Sequence, residues 1–359
     1  MTAALTGQVT AGDTAPGRRR LPMAAVSFRL QRSTLLALAL AVLAFTVVMI
    51  VTGLRVRSGA AGLARHHCTA SSQSAICGTL SSYLNPGSSL GPDKLILLPA
   101  IMGVFAGAPV FAREYESGTA KFALTQGVVR ARWVLGRVAL PAAVAAVLGG
   151  WLGLVAEWWA GPFARPAYNT PGLWWGGPLF GVSPVSLAAW AVLGVAVGAC
   201  AGMVLRRTLP AMAAAAAVLG GLTVLAMHQA YSAVLSVGAE AMRAVPLLNV
   251  SCSTTCSQVL APPSLAGSYT TGGWLTGPDG GRLSAAAQDA VARRIPAGLR
   301  DSSPAHLISW LAGQHLRYWV SFQPGSRFWL FQVALLVILA MLAALVLAAT
   351  VLLGRRQAR

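Results

Sequence analysis

The chain alternates between long apolar runs and polar connections of very unequal length. Six runs, 34–54, 95–112, 138–156, 184–205, 209–227 and 328–353, reach roughly the 18 to 20 residues that a helix needs to cross about 30 Å of hydrocarbon. The first follows several arginines like a secretory signal, but it exceeds the usual apolar core of such signals and five more runs follow, which predicts an uncleaved first helix. The pattern predicts an all-α polytopic membrane protein with six transmembrane helices.

The connections divide the chain further. Residues 1–33 read as a cytoplasmic tail whose end, "AAVSFRLQRS", either lies amphipathically along the inner leaflet or simply flanks the first span. Residues 34–229 hold helices one to five, 230–327 form a long outer loop, and 328–359 hold the sixth helix and a short tail. Inside the long loop, 283–295 reads as a short helix, and 306–320 as an interfacial or re-entrant helix with Leu307, Leu311 and Tyr318 on one side. The fourth and fifth spans are joined by "RRT", short enough to force a hairpin. In span four, Gly194, Gly198 and Gly202 form a flat strip that predicts close helix packing, or more sharply a dimer seam.

Only 10% of residues are charged, and mean hydropathy is +0.65, which confirms the membrane class. The net charge of +18 raises nucleic-acid binding as a possibility, but the basic residues sit in short loops and helix ends, where they set orientation. Arg18, Arg19, Arg20, Arg29, Arg32, Arg113, Lys121, Arg130, Arg132, Arg137, Arg206, Arg207, Arg355, Arg356 and Arg359 crowd one set of connections; the other 12 of the 27 basic residues are spread over about twice the length. By the positive-inside rule both termini, the connection between spans two and three and the Arg206 turn are cytoplasmic, so the loop between helices five and six is extracellular.

Cys68, Cys77, Cys252 and Cys256 then fall outside, where disulfides persist; local pairs Cys68–Cys77 and Cys252–Cys256 are favoured among three connectivities. Cys200 lies within a span. "CSTTC" lacks a second ligand pair in its loop, and the five histidines are not spaced as a metal cluster, so no metal site is expected. "GSSLG" at 87–91 fits a hydrolase nucleophile pattern, but it is bracketed by Pro86 and Pro92 in a loop and lacks the strand and helix that pattern requires. Trp158, Trp159, Trp174 and Trp175 are expected to anchor at the head-group interface, and Glu157 and His228 to lie at outer helix ends. Lys94 and Lys121 are the two lysines, and neither belongs to a G-x-x-x-x-G-K-[ST] loop. The chain is therefore not expected to be an enzyme, and ATP-driven work would need a second polypeptide.

The most polar long stretch is "REYESGTAKFALTQGVVRARWVLGR", residues 113–137. Ser117 or Thr119 is expected to cap a short helix whose start Glu114 and Glu116 favour, after Gly118 turns the chain out of span two. Gly127 would end that helix, with Arg130, Arg132 and Arg137 snorkelling to head groups. Such an element is suited to docking.

This stretch resembles the ABC-2 type permeases, the membrane subunits of ABC exporters, in its E-x-x-x-G-T, its Thr/Gln step, and the Arg and Trp that lead into span three. "YLNP" at 83–86 and "FQPGSRFWLFQ" at 322–332 support the likeness, the latter as in permeases of high-GC Gram-positive bacteria. The resemblance implies an exporter subunit in a bacterial plasma membrane, coupled through Glu114, Glu116, Gly118, Thr119, Lys121 and Arg130 to a separate ATP-binding protein that carries ATP and Mg. It also implies pairing with a second copy or a paralogue, among membrane lipids. A membrane sensor or interaction protein that uses the extracellular loop is the alternative reading.

Overall fold

The computed structural model describes residues 23–66, 76, 79, 92–118, 130–161, 177–226, 236–244, 247–252, 256–261, 268–296 and 304–356. Its helices are α1 (Met23–Arg65), α2 (Leu98–Met102), α3 (Pro109–Glu116), α4 (Arg130–Ala160), α5 (Pro184–Leu205), α6 (Thr208–Leu225), α7 (Ala285–Arg294), α8 (Pro304–Gly313) and α9 (Phe328–Arg356). Its strands are β1 (Glu240–Arg243), β2 (Leu247–Cys252), β3 (Cys256–Ala261), β4 (Tyr269–Thr276) and β5 (Arg317–Gln323). Six helical segments are long and apolar enough to cross a membrane, as the sequence pattern predicts. This is a polytopic helical membrane protein.

α5 is the central helix. Of its most apolar stretch 72% is buried, against 22% for α6 and α9 and 28% for α1, so lipid meets mainly those three. α5 is apolar on every side, as expected of a helix surrounded by protein. Ser183 caps its start by accepting from the Ser186 N–H, and Pro184 occupies the first turn, where a missing N–H costs nothing. At its other end Arg206 takes a left-handed conformation (φ 54°) and its N–H closes on the Gly202 carbonyl. The two-residue turn of Arg206 and Arg207 then feeds α6 directly.

The second span is broken in a way its hydropathy did not reveal. A 3-10 turn (Pro92–Leu97) leads into α2, and a π turn (Gly103–Gly107) links α2 to α3. Pro109 cannot donate to a helical carbonyl, and the Ala108 N–H reaches back five residues to Gly103 O at 2.9 Å. This irregular stretch lies against the glycine strip of α5. A Cβ at Gly194, Gly198 or Gly202 would collide with the carbonyl oxygens of Pro99, Gly103 and Ala108 respectively. The strip is thus occupied by the second span of the same chain, which leaves no room for it as a seam between copies.

α1 is one uninterrupted helix of 43 residues, so the amphipathic lead-in is its first turns and not a separate surface helix. It packs on α4 through polar ties at the end opposite Arg206: Thr46 accepts from Trp151 Nε1 (3.2 Å), Thr52 from Trp159 Nε1 (3.1 Å), and Arg57 donates to the Trp158 carbonyl (2.6 Å) beneath its ring. Trp159 is fully buried, which corrects its expected place at the head groups; burial is offset by the indole's hydrogen bond. Trp158 remains partly exposed, and Trp174 and Trp175 lie outside the described residues.

The long loop folds as its own small unit, and here the helical reading of 306–320 is corrected. α8 ends at Gly313, His315 adopts φ 56°, and 317–323 is strand β5. β-branched and aromatic residues in "RYWVSFQ" suit a strand whose alternate residues, Tyr318 and Val320, enter a core with Leu275, Ile295, Leu307 and Leu311. β5 is the middle strand of an antiparallel sheet ordered β1-β5-β4. Across the sheet's other face, Trp319 pairs with Trp274 and Arg243, while Arg243 and Arg282 lie over the two indoles. Burial pushes the Tyr318 hydroxyl up to about 12. Because that value exceeds the ordinary tyrosine value of 10.0, this group stabilises the fold fully below pH 10 and the contribution is lost as pH rises through about 12. Ultraviolet titration of tyrosinate should show a late component that Tyr318→Phe removes; its persistence in that variant would assign it elsewhere.

The "FQPGSRFWLFQ" residues form the joint between this unit and α9. Gln323, fully buried, donates to Val237 O (2.8 Å); Arg327 donates to Gly238 O (2.7 Å) and pairs with Glu240 (2.9 Å). One turn into α9, the buried Gln332 accepts from Ser183 (2.6 Å) and from Ser186, and donates to Phe180 O at 3.0 Å. Gln332→Leu orphans these buried groups and should cost about 1–3 kcal/mol. Thermal unfolding in detergent reads this, and an unchanged midpoint would rule it out.

Candidate functional site

Four helical elements meet at the end of the bundle that carries Glu114 and Arg206. Glu114 and Glu116 occupy the last turn of α3, Ser117 is its C-cap, and Gly118 leaves the helix at φ 72°. The glutamates therefore finish span two and Ser117 closes that helix; the short helix expected after Gly118 lies outside the described residues. Helix α3 continues because its backbone still finds i−4 partners up to Ser117, whose N–H bonds Arg113 O at 2.9 Å.

Each glutamate reaches a different neighbour. Glu114 forms an ion pair with Arg137, about two turns into α4, and their side chains are only 13% and 14% exposed. Arg137 therefore turns inward to a carboxylate, where snorkelling to head groups was expected; an opposite charge at contact distance compensates its lost solvation better than a distant phosphate. Glu116 accepts from the backbone N–H of Thr208 (2.8 Å) and from its hydroxyl (2.6 Å). A carboxylate from span two thus caps α6, whose unpaired first N–H groups and helix dipole both favour negative charge. Between the two glutamates, Tyr115 donates to Met203 Sδ (3.1 Å) and lies beneath the Arg206 guanidinium at 5.4 Å.

The end of span two is thereby clamped to α4 through Glu114, to α5 through Tyr115, and to α6 through Glu116. This arrangement is mechanical: displacing Glu114–Glu116 pulls on three other helix ends. Gly118 and Arg130 bound residues 119–129, which lie outside the described residues. Of the residues expected to couple, Thr119 and Lys121 lie outside the described residues, and Arg130 is described only as the first residue of α4. Cys68, Cys77 and His228 also lie outside them, whereas Cys252 and Cys256 are directly paired positions of the β2–β3 hairpin. Among the described residues, no three His, Cys, Asp or Glu come together to hold a metal ion.

Arg137, Tyr115, Arg206 and Thr208 were not singled out as partners of the glutamates by sequence reasoning. The signal available was the arginine itself, set directly against the start of the 138–156 apolar run, where unpaired charge is costly. Thr208 offered only its position after the Arg206 turn, as the first residue of α6.

No curated protein and no solved structure is significantly similar to the chain. The model of one family, ABC-2 membrane transporter related, matches residues 38–231, from within α1 to just beyond α6, and so includes the clamp. With more than half of its length matched, the chain belongs to the ABC-2 membrane transporter related family.

Proposed function

We propose that this protein is the permease subunit of an ATP-driven exporter of a bacterial plasma membrane, with the Glu114–Glu116 end cytoplasmic. Membership of the family implies association with an ATP-binding subunit, and the absence of a G-x-x-x-x-G-K-[ST] loop from the chain is consistent with ATP being bound there. The observation that carries the proposal is the clamp: a partner pressing on residues 119–129 moves the end of span two, and with it α4, α5 and α6. ATP binding would shift the bundle only through the partner's different affinity for its two arrangements. A second permease, identical or related, completes the path.

Purification of the tagged full chain from its native membrane in mild detergent tests this. A co-purifying nucleotide-binding ATPase that is lost on Lys121→Glu with Gly118→Trp supports the assignment; a wild type that never brings down such an ATPase contradicts it. The orientation has its own test. Antiparallel partners such as Cys252 and Cys256 lie close enough to bridge, so non-reducing peptide mapping should recover them joined if the loop is outside. Two free thiols in protein taken from an oxidising compartment would count against that placement.

A further inference from the structure

A cavity of about 440 Å³ opens beside the clamp, between α1, span two and α4. Its lining changes character in the same direction along the two helices that contribute most of it. On span two it runs from Ser117, Glu114 and Arg113 to Val110, Pro109, Ala106 and Phe105; on α1 it runs from Gln31 and Thr34 to Leu35. α4 contributes Arg137, at the polar end. At 1.5 Å per residue, the stretch from Ser117 to Phe105 spans about 18 Å, divided between a charged mouth and an apolar interior. Phe105 is 51% exposed, so the apolar part is open to the hydrocarbon.

The charge of the mouth selects the ligand further. Arg113 and Arg137 face one carboxylate, Glu114, which is paired with Arg137. Glu116, nearby, feels Arg113 but directs its oxygens to Thr208, and Arg32 stands exposed on α1. Among the lining residues two positive groups, Arg113 and Arg137, stand against one negative group, Glu114, so the mouth keeps one net positive charge. A cationic mouth above an apolar interior, set at the end of membrane-spanning helices, matches an anionic amphiphile in the adjoining leaflet. A soluble anion would leave the apolar half wet, and an uncharged lipid would leave Arg113 without a ligand charge.

We propose that this cavity binds a membrane phospholipid, with the phosphate of its headgroup at Arg113 and its upper chains along Val110, Pro109 and Phe105. The lipid wedges α1 against the clamp, so its presence sets how firmly span two is held. This site is independent of any ATP-binding partner and is tested without one.

The test uses the full-length protein, delipidated in detergent and titrated with phosphatidylglycerol, diacylglycerol or inorganic phosphate, with binding read by native mass spectrometry. One phosphatidylglycerol should bind in preference to diacylglycerol and resist competition by inorganic phosphate. Arg113→Gln should weaken binding about tenfold, the worth of one hydrogen bond to a charged group, and Arg113→Lys should recover part of it. Thr34→Trp, which fills the cavity without altering charge, should abolish binding. Circular dichroism checks that the variants are folded, and Arg113, being exposed, tolerates replacement. Equal binding of diacylglycerol, displacement by inorganic phosphate, or wild-type affinity in both Arg113→Gln and Thr34→Trp would each overturn the proposal.

Discussion

Glu114→Arg should abolish the proposed ATP-driven transport in the reconstituted transporter, and the second change Arg137→Glu should restore it. This is the outcome expected if the carboxylate acts within the chain, as a tie between span two and α4, because the exchanged pair recreates the same attraction. Both side chains are mostly buried, and leaving one such charge facing a like charge costs about 3–5 kcal/mol. That is enough to detach α4 from span two and to lower transport well over tenfold. Transport restored in the double variant separates the tie from a docking role, since a partner that reads Glu114 directly would meet an arginine in both variants. Near-normal transport by Glu114→Arg alone would sink the clamp.

Gly198→Val should prevent the bundle from assembling, whereas Gly220→Val should be tolerated. A Cβ at Gly198 would strike the Gly103 carbonyl, a backbone atom of the π turn that has no rotamer to change, while a Cβ at Gly220 meets nothing within 4 Å. Inserting methyl groups into such a contact costs upwards of about 3 kcal/mol, because two backbones must separate. Size-exclusion profiles and unfolding temperatures in detergent compare the two directly. A monodisperse Gly198→Val protein with the wild-type midpoint would show that span two does not approach α5 this closely.

The two glycines also show where sequence reading reaches its limit. The i, i+4 spacing of Gly194, Gly198 and Gly202 announces a flat face, and that face is indeed used for close approach. What it approaches could not be read, since every apolar helix in the chain is a plausible neighbour by hydropathy. The choice of span two depends on the break in that span, where the π turn and Pro109 bring the carbonyls of Gly103 and Ala108 against the strip.

The polar residues follow the same rule. Glu114 and Glu116 stood out by their rarity, yet were read only as favouring the start of a helix after them, because only neighbours in sequence were available to explain them. Their partners, Arg137 and Thr208, lie 23 and 92 residues away in the chain. Gln323, Arg327 and Gln332 were noticed as a motif, but their work, joining the β1-β5-β4 sheet to α9 and α5, depends on Val237, Gly238, Glu240 and Ser183 arriving at the same place. Beside that joint, 306–320 carried helical spacing through Tyr318, and β1 and β4 turned its second half into a strand by supplying ladder hydrogen bonds from outside the segment.

The sequence by itself determined the six membrane-crossing helices, the tight turn at Arg206 and the glycine face, because transfer to hydrocarbon and backbone freedom are properties of a residue and its near neighbours. Tertiary structure alone decided which helix the glycines meet, which charges answer Glu114 and Glu116, and whether "RYWVSFQ" is helix or strand. Each of those outcomes rests on groups far apart in the chain, and their energies exist only once the packing has brought them within a few ångströms.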